Sequence, residues 1–185
     1  MIKEFSADFK NETNWTRADI LNLDEFMEVP FELPASLGGA CPKPVIKLAQ
    51  RKRPSDFFQV GAMMIASERL CIEFREADAQ FEFIEVDLLD YQENRHEGPP
   101  YYFAHLLAEV DCFDFERSLY TLDRFGYAND IKKLALHTER LGATPVFQIK
   151  HVNLTTWFAT DEFAARMQSS RLSGMLFLEL DEMML

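Results

Sequence analysis

In "VDCFDFERS", Val110 to Ser118, two aspartates, a thiol, a further acid and a hydroxyl crowd into one short stretch. Asp111 and Asp114 could hold a divalent cation through oxygen, or divide the acid and base roles of a hydrolysis between them. The same residues have a plainer use. Asp and Ser favour turns after strands, Cys112 falls on an apolar face, and Glu116 beside Arg117 is an ordinary surface pair. The histidines do not help the catalytic case. His96, His105, His137 and His151 stand far apart, and none is spaced as the HxxxH pair that grips zinc from one helix face. No metal and no cofactor are expected.

The other reactive residues are equally scattered. Cys41, Cys71 and Cys112 form no CxxC pair, and their odd number fits reduced thiols better than a disulfide framework. Cys71 lies too far inside its predicted helix for the N-terminal dipole to activate it strongly, so it reads as a core thiol. Gly38-Gly39 ahead of Lys43 lacks the GxxxxGK[ST] spacing of a phosphate loop, and Pro42 and Pro44 bracket the lysine. Trp15, Trp157, Tyr101 and Tyr120 are residue types common at binding hot spots, though half-buried core is their more frequent use. Three classes therefore stand side by side: a small enzyme built on Asp111 and Asp114, a scaffold anchored by aromatics, and a binder that does no chemistry.

Charge favours a binder of basic proteins. Nineteen Lys and Arg face thirty-one Asp and Glu, a formal charge of -12 in 185 residues. Nucleic acid is disfavoured, because phosphate backbones need cations to displace their counterions, and the single basic cluster "KLAQRKRP", Lys47 to Pro54, is short and flanked by acid. The N-terminus carries charges where a secretory signal needs an apolar run, and no stretch approaches the roughly 20 apolar residues of a membrane span. A cytoplasmic location is expected, with no membrane partner.

The elements that would position these groups are clearest after Pro54. "DFFQVGAMMIA" reads as strand, and Ser67 caps a helix whose first turn carries Glu68. Leu70, Phe74 and Ala77 line its inner face. "FEFIEVD" then switches to period two but changes sides partway, as at a bulge or in a strand covered on both faces. Near the end of the chain the same order returns. "VFQIKHVNLTTWFA" leads to a cap at Thr160, acids at Asp161 and Glu162, a stripe of Phe163 and Met167, a helix stop at Gly174, and "MLFLELD" in place of "FEFIEVD". Ile65, Ala66, Ser67, Glu68 and Leu70 answer Phe158, Ala159, Thr160, Asp161 and Phe163. Two copies without a fixed period suit a duplication and a chance recurrence equally.

Between the copies, Tyr101 to Cys112 reads as one long central strand, and "IKKLALHTERL" as another. The first 53 residues are less regular. "IKEFSADF" suggests an edge strand, "TRADILNLDEFME" has mixed helical spacing, and "VPFELPASLGGACPKP" reads as a loop between this part and a core over 54–185. Together these give a single α+β domain over 1–185: a mixed or antiparallel sheet, helices packed mainly on one side, and an internal strand-helix-strand pseudo-repeat.

The order "MIASERL", "YYFAHLLAEVDCFDFERS", "PVFQIK", "FATDEFAARMQSSRLSGMLFLEL" resembles an immunity-protein family of bacterial polymorphic toxin systems, one long described only as a domain of unknown function. The resemblance covers Asp56 to the end, and the first fifty residues add nothing to it. Thr160 and Asp161 replace Ser and Glu at the second helix start, a conservative change for capping. What the resemblance implies is a stoichiometric inhibitor that binds a cognate toxin, with no turnover. Charge then points to a basic toxin, and the outward acids Glu73, Glu76, Asp78, Glu82 and Glu85 are the candidate toxin-binding residues.

Overall fold

A computed structural model describes residues 1–11, 13, 15–30, 33–153 and 156–180. Phe31 and Glu32 of the Pro-rich stretch and Asp181 of the last expected strand lie outside the described residues. In chain order the strands are β1 Ile2–Ala7, β2 Ala18–Ile20, β3 Val45–Leu48, β4 Phe57–Val60, β5 Met63–Ser67, β6 Phe81–Glu85 and β7 Asp87–Leu89. They continue with β8 Tyr101–Leu106, β9 Glu109–Val110, β10 Leu119–Leu122, β11 Ala128–Lys133, β12 Val146–Ile149, β13 Trp157–Thr160 and β14 Met175–Glu179. The helices are α1 Glu68–Glu76 and α2 Asp161–Ser169. The chain is α+β, mostly sheet, with antiparallel and mixed sheets.

Each helix starts where the sequence places its cap. Ser67 Oγ accepts from Leu70 N at 3.3 Å and Thr160 Oγ1 accepts from Phe163 N at 3.3 Å. An extended residue thus satisfies one otherwise orphaned N–H at each helix start, while Glu68, Asp161 and Glu162 complement the positive end of the dipole. α1 buries Leu70, Cys71 and Phe74, and α2 buries Phe163, Ala164 and Met167, so Leu70, Phe74, Phe163 and Met167 hold their expected places, while Ala77 falls just past α1 as its cap and is only partly buried.

The two units match beyond their helices. The first sheet has strand order β4-β5-β8-β6, and four strands of the second run β12-β13-β1-β14, with β9 added parallel to β12. All other neighbours in these two sheets are antiparallel. The register agrees as well: Phe57 pairs Ala66 and Phe58 pairs Ile65, as Val146 pairs Ala159 and Phe147 pairs Phe158. Tyr101 stands opposite the Ser67 cap as Ile2 stands opposite Thr160. "FEFIE" and "MLFLE" then fall at equivalent rungs of β6 and β14. What differs is where the inner strand comes from. β8 follows its unit in sequence, whereas β1 reaches its unit from the other end of the chain.

That swap corrects the expectation for the N-terminus. "IKEFSADF" forms no edge strand, since β1 lies between β14 and β13 with Phe5 wholly buried. "TRADILNLDEFME" makes β2 and a short 3-10 turn, Leu23–Phe26. β2, β3 and β7 form a third sheet over the first, closing a core of Ile46, Leu48, Phe58, Val60, Met63, Ile65, Leu88, Tyr101 and Phe103. The first sheet is therefore covered on both faces, which explains why "FEFIE" follows no clean alternation: Phe81 and Phe83 pack toward the helices and Ile84 toward the third sheet. The expected long strand from Tyr101 to Cys112 is two strands. β8 ends at Leu106, and after a break at Leu107–Ala108 the chain enters the second sheet as β9.

The core between the two units is aromatic. The Phe5 ring lies 5.0 Å from Phe57, 4.8 Å from Phe177, 5.9 Å from Phe163 and 5.8 Å from Trp157, while Phe74 lies 4.6 Å from Phe81 and 5.9 Å from Phe163. Each such ring, fully buried, stabilises by about 1.5–3 kcal/mol before entropy is charged against it. Much of the chain's phenylalanine content is used here. Between the helices, Arg166 of α2 reaches Glu73 at 3.0 Å and Glu76 at 2.6 Å on α1.

Gly174 was expected as the stop of α2. The helix ends earlier, with Ser170 as cap and Arg171 at φ 58°. Gly174 serves a different need. It has φ +89°, and a Cβ there would run into the Phe57 carbonyl oxygen and stand 2.8 Å from Ser55 Cβ. The segment before β14 can approach β4 only because this residue has no side chain.

Candidate functional site

The 111–118 segment does not assemble a catalytic pair. Asp114 is buried and acts as a turn hub. Its Oδ1 accepts from Glu116 N at 3.0 Å and Arg117 N at 2.9 Å, and its Oδ2 takes the Arg117 side chain. The Arg117 hydrogen bonds hold its carboxyl below the usual range, so it stays a structural anion. Asp111 is exposed, with His151 Nε2 3.9 Å away. Ser118 Oγ donates to Ala135 O at 3.3 Å and accepts from Ala135 N at 3.0 Å, which fastens the turn to the segment just past β11. Burial pushes the Cys112 thiol up to about 11 and that of Cys71 up to about 12, so neither is a ready nucleophile.

The histidines are just as dispersed. His105 is buried with Nε2 2.9 Å from Ala35 O, and His137 sits between Glu139, at 3.1 Å, and Asp114, at 3.5 Å. His96 Nε2 is buried without a hydrogen-bond partner among the described residues, and burial, helped by Arg53, lowers its pKa. Among the described residues no group of three His, Cys, Asp or Glu could hold a metal ion, and no helix is long and apolar enough to cross a membrane.

The five acidic candidates are not on one face. Glu73 and Glu76 meet Arg166 at the junction of the helices. Asp78, just past α1 at φ 55°, has no ion pair among the described residues. Glu82 staples a loop, accepting from Leu37 N at 2.7 Å, Gly38 N at 3.1 Å and Ser36 Oγ at 3.0 Å. Partial burial would raise its pKa, but these bonds outweigh that and leave it lowered. Glu85, on the opposite side of β6 by strand alternation, pairs with Lys43 at 3.1 Å.

Glu76, Asp78 and Arg166 do share one feature, a cleft of about 370 Å³ lined also by Gly142, Ala143, Pro145, Thr160, Glu162 and Phe163. Broken symmetry accounts for it. In the first unit Asp56 binds the Ser67 cap at 2.9 Å and Ser173 N and Oγ at 3.0 Å each, tying the second unit's loop down. By register the matching position is Pro145, which has no carboxylate to give, and the loop around Asp78 stands off.

Most of the basic cluster is spent internally. Lys47 pairs with Glu93 at 2.6 Å, Arg51 lies 4.9 Å over the Tyr91 ring, and Lys52 donates to Thr13 O at 3.0 Å. Trp157 and Tyr101 are buried core, and Tyr120 packs 5.3 Å from Phe113. Trp15 lies under Arg17, whose guanidinium is 4.3 Å from its ring centre. Besides Phe9, the exposed aromatics among the described residues are Phe115, ahead of β10, and Phe125 and Tyr127, in the turn between β10 and β11. A usable signal was present in "LDRFGY", an Asp-x-x-Gly turn between two strand-like runs.

Fold and site together define an α+β protein of four sheets, among its described residues, whose polar groups are committed mainly to holding its own loops. The chain belongs to the Immunity protein family (Imm11), whose model matches residues 7–182. The match takes in most of the N-terminal stretch that the resemblance had left out, though of β1 it includes only Ala7. Family membership carries a toxin-immunity role and a toxin as partner, and immunity proteins of this kind are generally not enzymes. No curated protein matches the chain.

Proposed function

We propose that this protein binds a cognate bacterial toxin of a polymorphic toxin system and neutralises it stoichiometrically, by occlusion, with no bond made or broken. The observation that carries the proposal is the family match over 7–182. Three further features support it. The sheet-rich body is preformed, so little ordering entropy opposes binding. The net charge of -12 favours a basic partner and rapid capture, with steered association reaching about 10⁸ M⁻¹s⁻¹ or more at low salt. The reduced thiols suit the cytoplasm, where the toxin would meet its substrate, and neither nucleic acid nor membrane is a partner in this proposal.

Glu73, Glu76, Asp78, Glu82 and Glu85 then act by their field. Most are already paired within the chain, so they steer a basic toxin more than they embed in it. The test is co-expression with the product of the adjacent open reading frame. Rescue of growth together with a complex of fixed stoichiometry is the expected result. Rescue by far fewer copies than toxin molecules, with no complex recovered, would mean turnover and defeat the proposal.

A further inference from the structure

The hairpin of β10 and β11 is the part of the chain that the fold's own plan does not account for. It forms a separate two-stranded sheet, outside both matched units. Its inner side is anchored: Ala128 and Ile131 are buried, Ala128 N donates to His151 O at 2.8 Å, and Tyr120 packs against Phe113. Its tip and approach are apolar and open. Phe115, which also packs on Phe113 and Tyr120, is 41% exposed, Leu119 59%, Leu122, opposite buried Ala128, 60%, Phe125 70% and Tyr127 47%, the densest run of exposed large hydrophobics along the described chain.

The tip is rigid. Asp123 N donates to Tyr127 O at 2.9 Å and Gly126 N to Asp123 O at 3.1 Å, while Asp123 Oδ1 accepts from Phe125 N at 2.8 Å and Tyr127 N at 3.0 Å. Gly126 at φ +83° completes the turn. Phe125 is thereby held outward, with the Arg124 guanidinium 4.6 Å from its ring centre. Aromatic and arginine side chains are enriched at interfaces, and one held in place beforehand has met its ordering cost before binding.

Charge says what it fits. Residues 115–133 carry four basic residues, Arg117, Arg124, Lys132 and Lys133, against three acids, in a chain where acids exceed bases by twelve. Arg117 is bound to Asp114, and the other three make no ion pair among the described residues. A second copy of so acidic a chain is a poor occupant. A partner with a basic surface around an apolar cleft that itself bears carboxylates is a good one: the acidic body meets the rim, and the Arg124–Phe125 tip enters the cleft.

We infer that the Asp123–Gly126 tip, with Leu122 and Tyr127 behind it, is the element that plugs the toxin's cleft. This rests on the immunity function proposed above. The experiment uses the full chain and, as probe, a catalytically inactivated form of the toxin domain encoded beside it, with affinity read by calorimetry and rescue read by growth with the active toxin. Phe125→Ala and Arg124→Glu, both on an exposed tip, are expected to retain the wild-type melting temperature. Each should weaken binding at least tenfold, and Arg124→Glu should also change the salt dependence. Wild-type binding matched within threefold by both variants overturns the inference and leaves the immunity function standing. Failure of the wild type to bind or to rescue overturns both. A wild-type dimer in sedimentation that Phe125→Ala dissolves overturns the toxin as occupant in favour of a second copy.

Discussion

Gly174→Ala tests how the two units are fastened together. The substitution adds one methyl group at φ +89°, where an L residue costs roughly 1–2 kcal/mol. The methyl also meets the Phe57 carbonyl oxygen and Ser55 Cβ, at 2.8 Å, and neither is a flexible side-chain end that can swing away. Overpacking of that kind typically adds about 1–3 kcal/mol, for a total of about 2–5 kcal/mol. In a chain of this size that corresponds to a fall in Tm of roughly 4–20 °C. Gly142→Ala is the control, at φ +56° with nothing within 4 Å of the new Cβ, so it carries the conformational strain alone, about 1–2 kcal/mol. Urea denaturation of both variants, analysed with a common slope, separates the two contributions. If Gly174→Ala is no less stable than Gly142→Ala, the close approach of the Ser173–Gly174 segment to β4 is not what the structure says it is.

The remaining predictions use other features of the fold. Ser67→Ala and Thr160→Ala each remove a helix cap worth about 1 kcal/mol, but Ser67 also binds Asp56, so it should be the costlier of the two by chemical denaturation. Thiol labelling of the native protein followed by mass spectrometry should modify Cys41, which is half-buried, and reach Cys71 and Cys112 only after unfolding; rapid native labelling of Cys71 would refute its place in the core. Asp114 and Glu82 have folded pKa values below their unfolded ones, so the stability they contribute is present above about pH 4 to 4.5 and is lost as pH falls through the depressed values. Glu4, raised by burial, works in the opposite direction. Asp114→Asn should therefore be less stable at pH 6 and show a flatter decline toward pH 3 than the wild type; an unchanged slope would count against the Arg117 anchor.

The local grammar is legible residue by residue. Ser67 and Thr160 are caps, their helices bury the expected stripes, and "FEFIE" and "MLFLE" sit at equivalent rungs, because capping and side-chain periodicity depend on neighbours within a few residues. Asp114 as a turn former and Trp157 as core were legible for the same reason. The rest depends on residues far apart in the chain that meet only in the fold. β1 lies inside the second sheet although its sequence looks like an edge, since nothing local records that β13 and β14 flank it. The acids of α1 and β6 look free in sequence and prove to be bound to Arg166, Lys43 and the 36–38 loop, and the apolar hairpin looks like any other strand pair until the rest of the core closes without covering it. Burial and charge pairing are properties of the assembled surface, so no window along the chain could report them.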